Sequence, residues 1–234
     1  MMSSALILFI AYLVRGLAGF GSGLIAIPLL ALEHPLALVV PLVVLLDWLG
    51  SASQGVAHRD AVAWPELVPL LPFTLAGVAL ALLAFRTVDP TGLNQAFGLF
   101  ILMFAVYQVL PLPVLRGSRT WSIPAGFCGG LVGTLFGTGG PFYMIYLTLR
   151  GLDKRSLRAS FAAFFLVDGS IRLVGFLLAG MLDTAVLRTL LYGLPPAALG
   201  LIIGGRVHVG LSPTMFKYGI SVLLLFSGYQ LVTR

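Results

Sequence analysis

Two short motifs and four charged side chains are the groups in this chain that could do chemistry. The motifs are Phe20-Gly21-Ser22-Gly23 and Phe136-Gly137-Thr138-Gly139, with a proline after each, Pro28 and Pro141. The charges are Arg15, Asp47, Asp168 and Arg172, each set in an apolar run. A hydroxyl between glycines at the start of a helix suits an anion. The first backbone N–H groups of the helix are free, the dipole is positive there, and glycine lets a ligand approach closely. Arginine adds a rigid fork of donors for planar or tetrahedral oxyanions. A charge at the centre of a bilayer costs about 2.5–3.5 kcal/mol on insertion scales, so such residues mark a functional pathway by default.

The elements that carry these groups belong to a membrane. The 234 residues are 59% hydrophobic and 9% charged, against about a quarter charged in soluble domains. Continuous apolar runs such as 36–46 and 99–110 read as helices rather than as the alternating strands of a β-barrel. The net charge of +6 collects in loops, as the positive-inside rule requires, and does not point to nucleic acid. The lone Cys128 permits no internal disulfide, and no Cys/His spacing suits a metal. Neither catalysis nor a cofactor is expected. Ser22 has no histidine in an apolar span to act as base, and no Walker lysine follows the glycines.

Apolar segments fall at 3–32, 35–57, 64–85, 90–112, 121–149, 156–180, 184–205 and 212–232. The first and fifth are over-long and carry the glycine motifs at their centres. The chain therefore divides into halves, 1–115 and 116–234, each opening on a broken helix. Paired interrupted segments of this kind point to a transporter's binding site. Loop charges decide how the broken segments run. If both cross the membrane, basic residues split four against seven. If both dip in and return, nine (Arg59, Arg116, Arg119, Arg150, Lys154, Arg155, Arg158, Arg206, Lys217) share one side. Arg86 and Arg234 then remain opposite, with Arg188 near that end. The second arrangement obeys the positive-inside rule. Three spans then follow each hairpin, an odd number, so the halves are inverted repeats and both termini lie outside. The fold expected is an all-α polytopic membrane protein of two inverted repeats, each a re-entrant helix followed by three transmembrane helices.

The Ser4–Arg15 half-helix would be about 18 Å long, half the membrane core, which places Arg15 deep. Gly19, Gly21, Ser22 and Gly23, with Gly137, Thr138, Gly139 and Gly140, form the two turns. Asp168 and Arg172 are four apart on one helical face and can pair directly. Asp47 is a candidate partner for Arg15. Both aspartates could instead carry protons. Asn94, Gln95, Tyr107, Gln108 and Tyr146 are secondary polar candidates, and Gly200/Gly204 reads as helix packing.

The sequences GLAGFGSGLIAIPLL and GLVGTLFGTGGPFYMIYL, each opening a four-segment half, resemble the TauE/SafE family of sulfite exporters over essentially the whole chain. The resemblance implies a carrier of small sulfur oxyanions, such as sulfite or sulfoacetate, in a bacterial cytoplasmic membrane. It carries Gly19, Gly21, Ser22, Gly23, Pro28, Gly137, Thr138, Gly139, Gly140 and Pro141 over as motif positions. The family often has a denser glycine run where Ser22 stands here. The expected mechanism holds the anion between the two turns, balanced by Arg172 and Arg15, with alternating access. A channel, or a carrier of another small anion such as a carboxylate, is the alternative. The expected partners are the small anion, the bilayer and, as an option, a second copy of the chain.

Overall fold

The computed structural model describes residues 2–18, 21–54, 59–110, 117–206 and 213–233. Among them there are eleven α-helices and no strand. They are α1 (Met2–Ala18), α2 (Ser22–Leu30), α3 (Leu36–Gln54), α4 (Trp64–Leu67), α5 (Leu71–Thr87), α6 (Pro90–Val109), α7 (Ser122–Phe136), α8 (Gly140–Leu149), α9 (Lys154–Leu178), α10 (Thr184–Arg206) and α11 (Pro213–Val232). The stretches 64–87, 90–109, 154–178 and 184–206 are long and apolar enough to cross a membrane. Shorter apolar helices occupy 2–17, 36–52 and 221–232. Large apolar side chains face outward, among them Leu83 on α5, Met103 on α6, Leu178 on α9 and Phe226 on α11. Water would penalise such a surface, whereas lipid covers it at no cost.

Both over-long segments break where the glycine motifs fall. Gly21 (φ 100°) and Gly137 (φ 64°) are left-handed, a conformation glycine adopts freely and other residues rarely. They occupy matching places in the two motifs. Each break makes a helical hairpin. At the first, Ser3 Oγ donates to Glu33 Oε2 at 3.0 Å and Ser4 Oγ lies 3.3 Å from His34 Nε2, so the start of α1 meets the chain beyond α2. At the second, Gly117 N donates to Leu149 O at 3.0 Å and Arg150 Nη1 to Gly117 O at 2.7 Å. One expectation needs correcting. The first arm is not a half-helix ending at Arg15, because helical periodicity continues to Ala18. Its 17 residues span about 26 Å at 1.5 Å per residue. The hairpins thus pair a long arm with a short one, α2 of 9 residues and α8 of 10.

The helices gather into two compact units. One comprises 1–46, 88–111 and 183–234, the other 47–87 and 112–182. In the first, α1 packs on α10 and α6 on α11. In the second, α7 packs on α5. Glycines permit these close approaches, as the spacing of Gly200 and Gly204 predicts. A Cβ at Gly200 would lie 2.9 Å from Leu13 N, and one at Gly126 would lie 2.7 Å from Leu70 O. Gly130 abuts the Thr74 backbone in the same way. Tyr143, Tyr146 and Leu147 of α8 are buried with Leu67, Leu70 and Phe164, so the short helix lies in the core of its unit.

One end of the second unit is tied by charge. Glu66 accepts from Arg119 Nη2 (2.9 Å), Arg150 Nε (2.8 Å) and Tyr146 Oη (3.1 Å). Nearby, Ala63 N donates to Ser160 Oγ at 2.8 Å. Asp153 caps α9, and bonds from Ser156 and the Arg155 amide hold its carboxyl below the usual range. The residues before α4, before α7 and after α8 therefore meet at one end, the arrangement that the returning hairpin requires.

Two outcomes follow from this packing. Gly130→Ala should lower thermal stability in detergent, because overpacking a tight helix contact costs about 1–3 kcal/mol. Gly219→Ala, where a Cβ meets nothing within 4 Å, should not lower it. Glu66→Ala strips three donors of their acceptor. It should cost about 1.5–3 kcal/mol, the scale of hydrogen bonds to a charged group, read as a drop in melting temperature that Gly219→Ala does not share.

Candidate functional site

In the second unit the site builds around Arg172, which is 2% exposed on α9. One turn earlier on the same face stands Asp168, 0% exposed, and the two form an ion pair through Nη2 and Oδ2. The Asp168–Arg172 pairing read from the four-residue spacing is therefore present. Nη1 donates to Gly133 O at 3.0 Å. Gly133 lies in the last turn of α7, where carbonyls lack an intrahelical acceptor role. A Cβ at Gly133 would fall 2.6 Å from Arg172 Cζ, and one at Gly139 would fall 3.1 Å from Nη2. The guanidinium thus lies across the tip of the second hairpin, in space that the absent side chain of Gly133 leaves for it.

The far side of the break faces α8. Gly139 is its N-cap and Gly140 its first residue, with no acidic residue in the first turn and no side-chain cap. Pro141 donates nothing, and Gly140 packs against Phe161 and Phe165 of α9. Thr138, between the helices, is 3% exposed. Its Oγ1 and Arg172 Nε are buried without a protein hydrogen-bond partner. Buried polar groups nearly always have a partner, so two such atoms at one helix break mark a place suited to a polar ligand.

Two participants were not legible as site residues. Tyr143 is fully buried, and its hydroxyl donates to Asp168 Oδ1 at 3.0 Å. Its place four residues after Gly139, on the same helical face, was the available signal. Trp48 Nε1 donates to Ser170 Oγ at 2.9 Å, tying α3 to α9. Asp47, adjacent to Trp48, is 7% exposed, and its field reaches Arg172.

The first unit holds a related arrangement of different origin. Arg15, 5% exposed, sits on α1 one turn before the break, and its Nη1 donates to Ser22 Oγ at 3.2 Å. Its guanidinium lies 5.9 Å from the Tyr12 ring centroid. Ser22 and Gly23 open α2 and are buried; Gly21 is the N-cap, again with no side-chain cap and no acidic first-turn residue. Gly19 lies outside the described residues. Of the secondary polar candidates, Gln108 bonds Ser221 Oγ at 2.8 Å and Tyr146 belongs to the Glu66 cluster. Among the described residues no group of His, Cys, Asp and Glu could hold a metal.

The sequence profile of the family described as sulfite exporter TauE/SafE matches residues 4–231. A probable inner membrane transporter protein, TsaS, of Comamonas testosteroni is 29% identical over 196 residues, 81% of each chain. A probable sulfite/organosulfonate exporter, TauE, of Cupriavidus necator is 27% identical over 217 residues, 88% of this chain and 84% of its own. No solved structure matches. With apolar helices fit to span a membrane and a profile match that takes in both hairpins, this chain belongs to the TauE/SafE sulfite exporter family, whose members are membrane transporters and not enzymes.

Proposed function

We propose that the protein is a secondary transporter that moves a small sulfur oxyanion, sulfite or an organosulfonate such as sulfoacetate, across the cytoplasmic membrane by alternating access. The observation that carries this reading is the unequal satisfaction of the second helix break. Its carbonyl side is met by Arg172. Its amide side, at Gly139 and Gly140, has no acidic or capping side chain, and Thr138 Oγ1 and Arg172 Nε stand beside it without protein partners. A ligand rich in acceptor oxygens supplies what these donors lack. Arg15, Gly21, Ser22 and Gly23 form the corresponding binding element of the first unit, and Gly19 is assigned to it from sequence. Asp168 is the charge partner of Arg172, and Asp47 adds a second negative field. The relatives named for inner-membrane transport and for sulfite or organosulfonate export support the substrate class and the membrane.

The repeats are read as 1–115 and 116–234, inverted. Support comes from the exchange of helices between them. The broken helix of each half packs on the third segment of the other, α1 on α10 and α7 on α5, and the fourth segments, α6 and α11, pack together. The end of the second unit that carries Arg119, Arg150, Lys154, Arg155 and Arg158 is then cytoplasmic, and both termini are periplasmic.

Three measurements test this. Proteoliposomes loaded with sulfite or sulfoacetate should drive counterflow of labelled substrate; sustained currents at channel rates would exclude alternating access. Arg172→Lys keeps the charge but loses the fork. It should weaken substrate binding about 10- to 150-fold, the equivalent of one charge-assisted hydrogen bond of ~1.5–3 kcal/mol. A C-terminal reporter should be active when it reports the periplasm and silent when it requires the cytoplasm.

A further inference from the structure

We propose that Asp168 is the proton-binding residue of the transporter: substrate anion and the Asp168 carboxylate compete for the Arg172 guanidinium, and the displaced carboxylate takes up a proton, so that anion and proton bind together. The proposal rests on the reading of Arg172 as an oxyanion ligand and assigns how that site is coupled.

The geometry places every part within reach. Asp168 is fully buried, with Oδ2 on Arg172 and Oδ1 accepting from Tyr143 at 3.0 Å. An oxyanion drawn to the remaining N–H groups of Arg172 arrives next to this carboxylate. Two like charges sharing one buried site cannot both stay ionised without heavy cost. A sulfonate is the anion of a strong acid and does not accept the proton, so Asp168 does. The proton comes from water and forms an O–H bond on the carboxylate; nothing is oxidised or reduced. Tyr143 fits both states, because a phenol donates to an ionised carboxylate and accepts from a protonated one. Asp168 is therefore left with a partner before and after.

The charges around it are few. From α8 comes Tyr143; Tyr146 is turned to Glu66. From α3 comes Asp47, whose negative charge acts on Arg172 from outside the ion pair. Helix α7 has no charged side chain. Helix α5 has only Arg86, in its last turn, about 6 Å beyond Leu82, which with Val78 packs on Gly175, two turns along α9 from Asp168. Lys154, Arg155 and Arg158 lie in the first turns of α9, with Asp60 and Glu66 at that same end. No second carboxylate bonds to Arg172 among the described contacts, which makes Asp168 the one that a ligand must displace.

The test uses the full chain in lipid nanodiscs and methanesulfonate, whose charge does not change over the pH range used. Calorimetry in two buffers of unequal ionisation enthalpy counts the protons bound. The expected result is uptake of about one proton per anion wherever the unliganded site holds Asp168 ionised, with affinity falling about tenfold for each pH unit of rise across that range. Asp168→Asn should abolish both the uptake and the pH dependence and bind more tightly at high pH. Tyr143→Phe removes a donor to the ionised carboxylate and should move the onset of proton uptake to higher pH, a shift that a merely structural tyrosine would not produce. Should Asp168→Asn fail to fold, the wild-type proton count and the Tyr143→Phe shift decide alone. Anion binding without proton uptake, or uptake that survives Asp168→Asn, would overturn the coupling and leave the site standing. Failure of methanesulfonate and sulfite to bind at any pH would overturn the oxyanion site itself.

Discussion

A guanidinium buried in an apolar interior cannot stand alone, and the second unit is arranged around that requirement. Arg172 needs a counter-charge and acceptors, and Asp168 one helical turn away supplies the first. The acceptor comes from a helix that stops. Because α7 ends at Gly137, the Gly133 carbonyl has no helical donor and is free for Arg172. The break and the arginine thus satisfy each other. Non-helical backbone at membrane depth survives only where such partners exist. The same logic explains the glycine at 133, since a side chain there would occupy the guanidinium's volume, while Gly139 lets the turn close against the Gly129 carbonyl.

The solution is repeated in kind but not in sequence. Each glycine turn has an arginine beside it. Arg15 reaches its turn from the long arm of its own hairpin, and Arg172 reaches its turn from the helix that follows. The turns derive from a repeated motif; the cations do not. What the two turns share is the physical need at a break, namely donors for orphan carbonyls and positive charge where an acceptor-rich ligand is to bind. Different side chains meet that need from the directions each unit leaves open.

This difference also explains what could be read in advance. The eight apolar segments match the observed helices within a few residues, because membrane spans are written in long uninterrupted runs. The breaks were visible because glycine pairs are rare in such runs, and the hairpins were visible because loop charge obeys a global rule. The Asp168–Arg172 pair followed from helical spacing. Tyr143 and the Glu66 cluster did not. Both depend on which face of a short helix looks inward, and α8 is apolar nearly all round, so its periodicity carries little information. The extent of α1 departs from the sequence expectation for a related reason. A charged residue such as Arg15 looks like an end, yet arginine is a good helix former and the helix runs on to Ala18.

The cost of a buried ion pair bears on selectivity. Removing one partner of such a pair leaves an uncompensated charge and is strongly unfavourable, by about 3–5 kcal/mol. On the proposed reading, a ligand succeeds only if it replaces the carboxylate at Arg172 rather than merely removing it. The replacement must carry negative charge and offer at least two oxygens to a planar fork. It must also turn a further oxygen toward the amides of Gly139 and Gly140 and the Thr138 hydroxyl. Sulfite and sulfonates present three oxygens on one sulfur and meet all of these demands. A spherical halide meets only the first, and a carboxylate, with two oxygens, exhausts them on the fork.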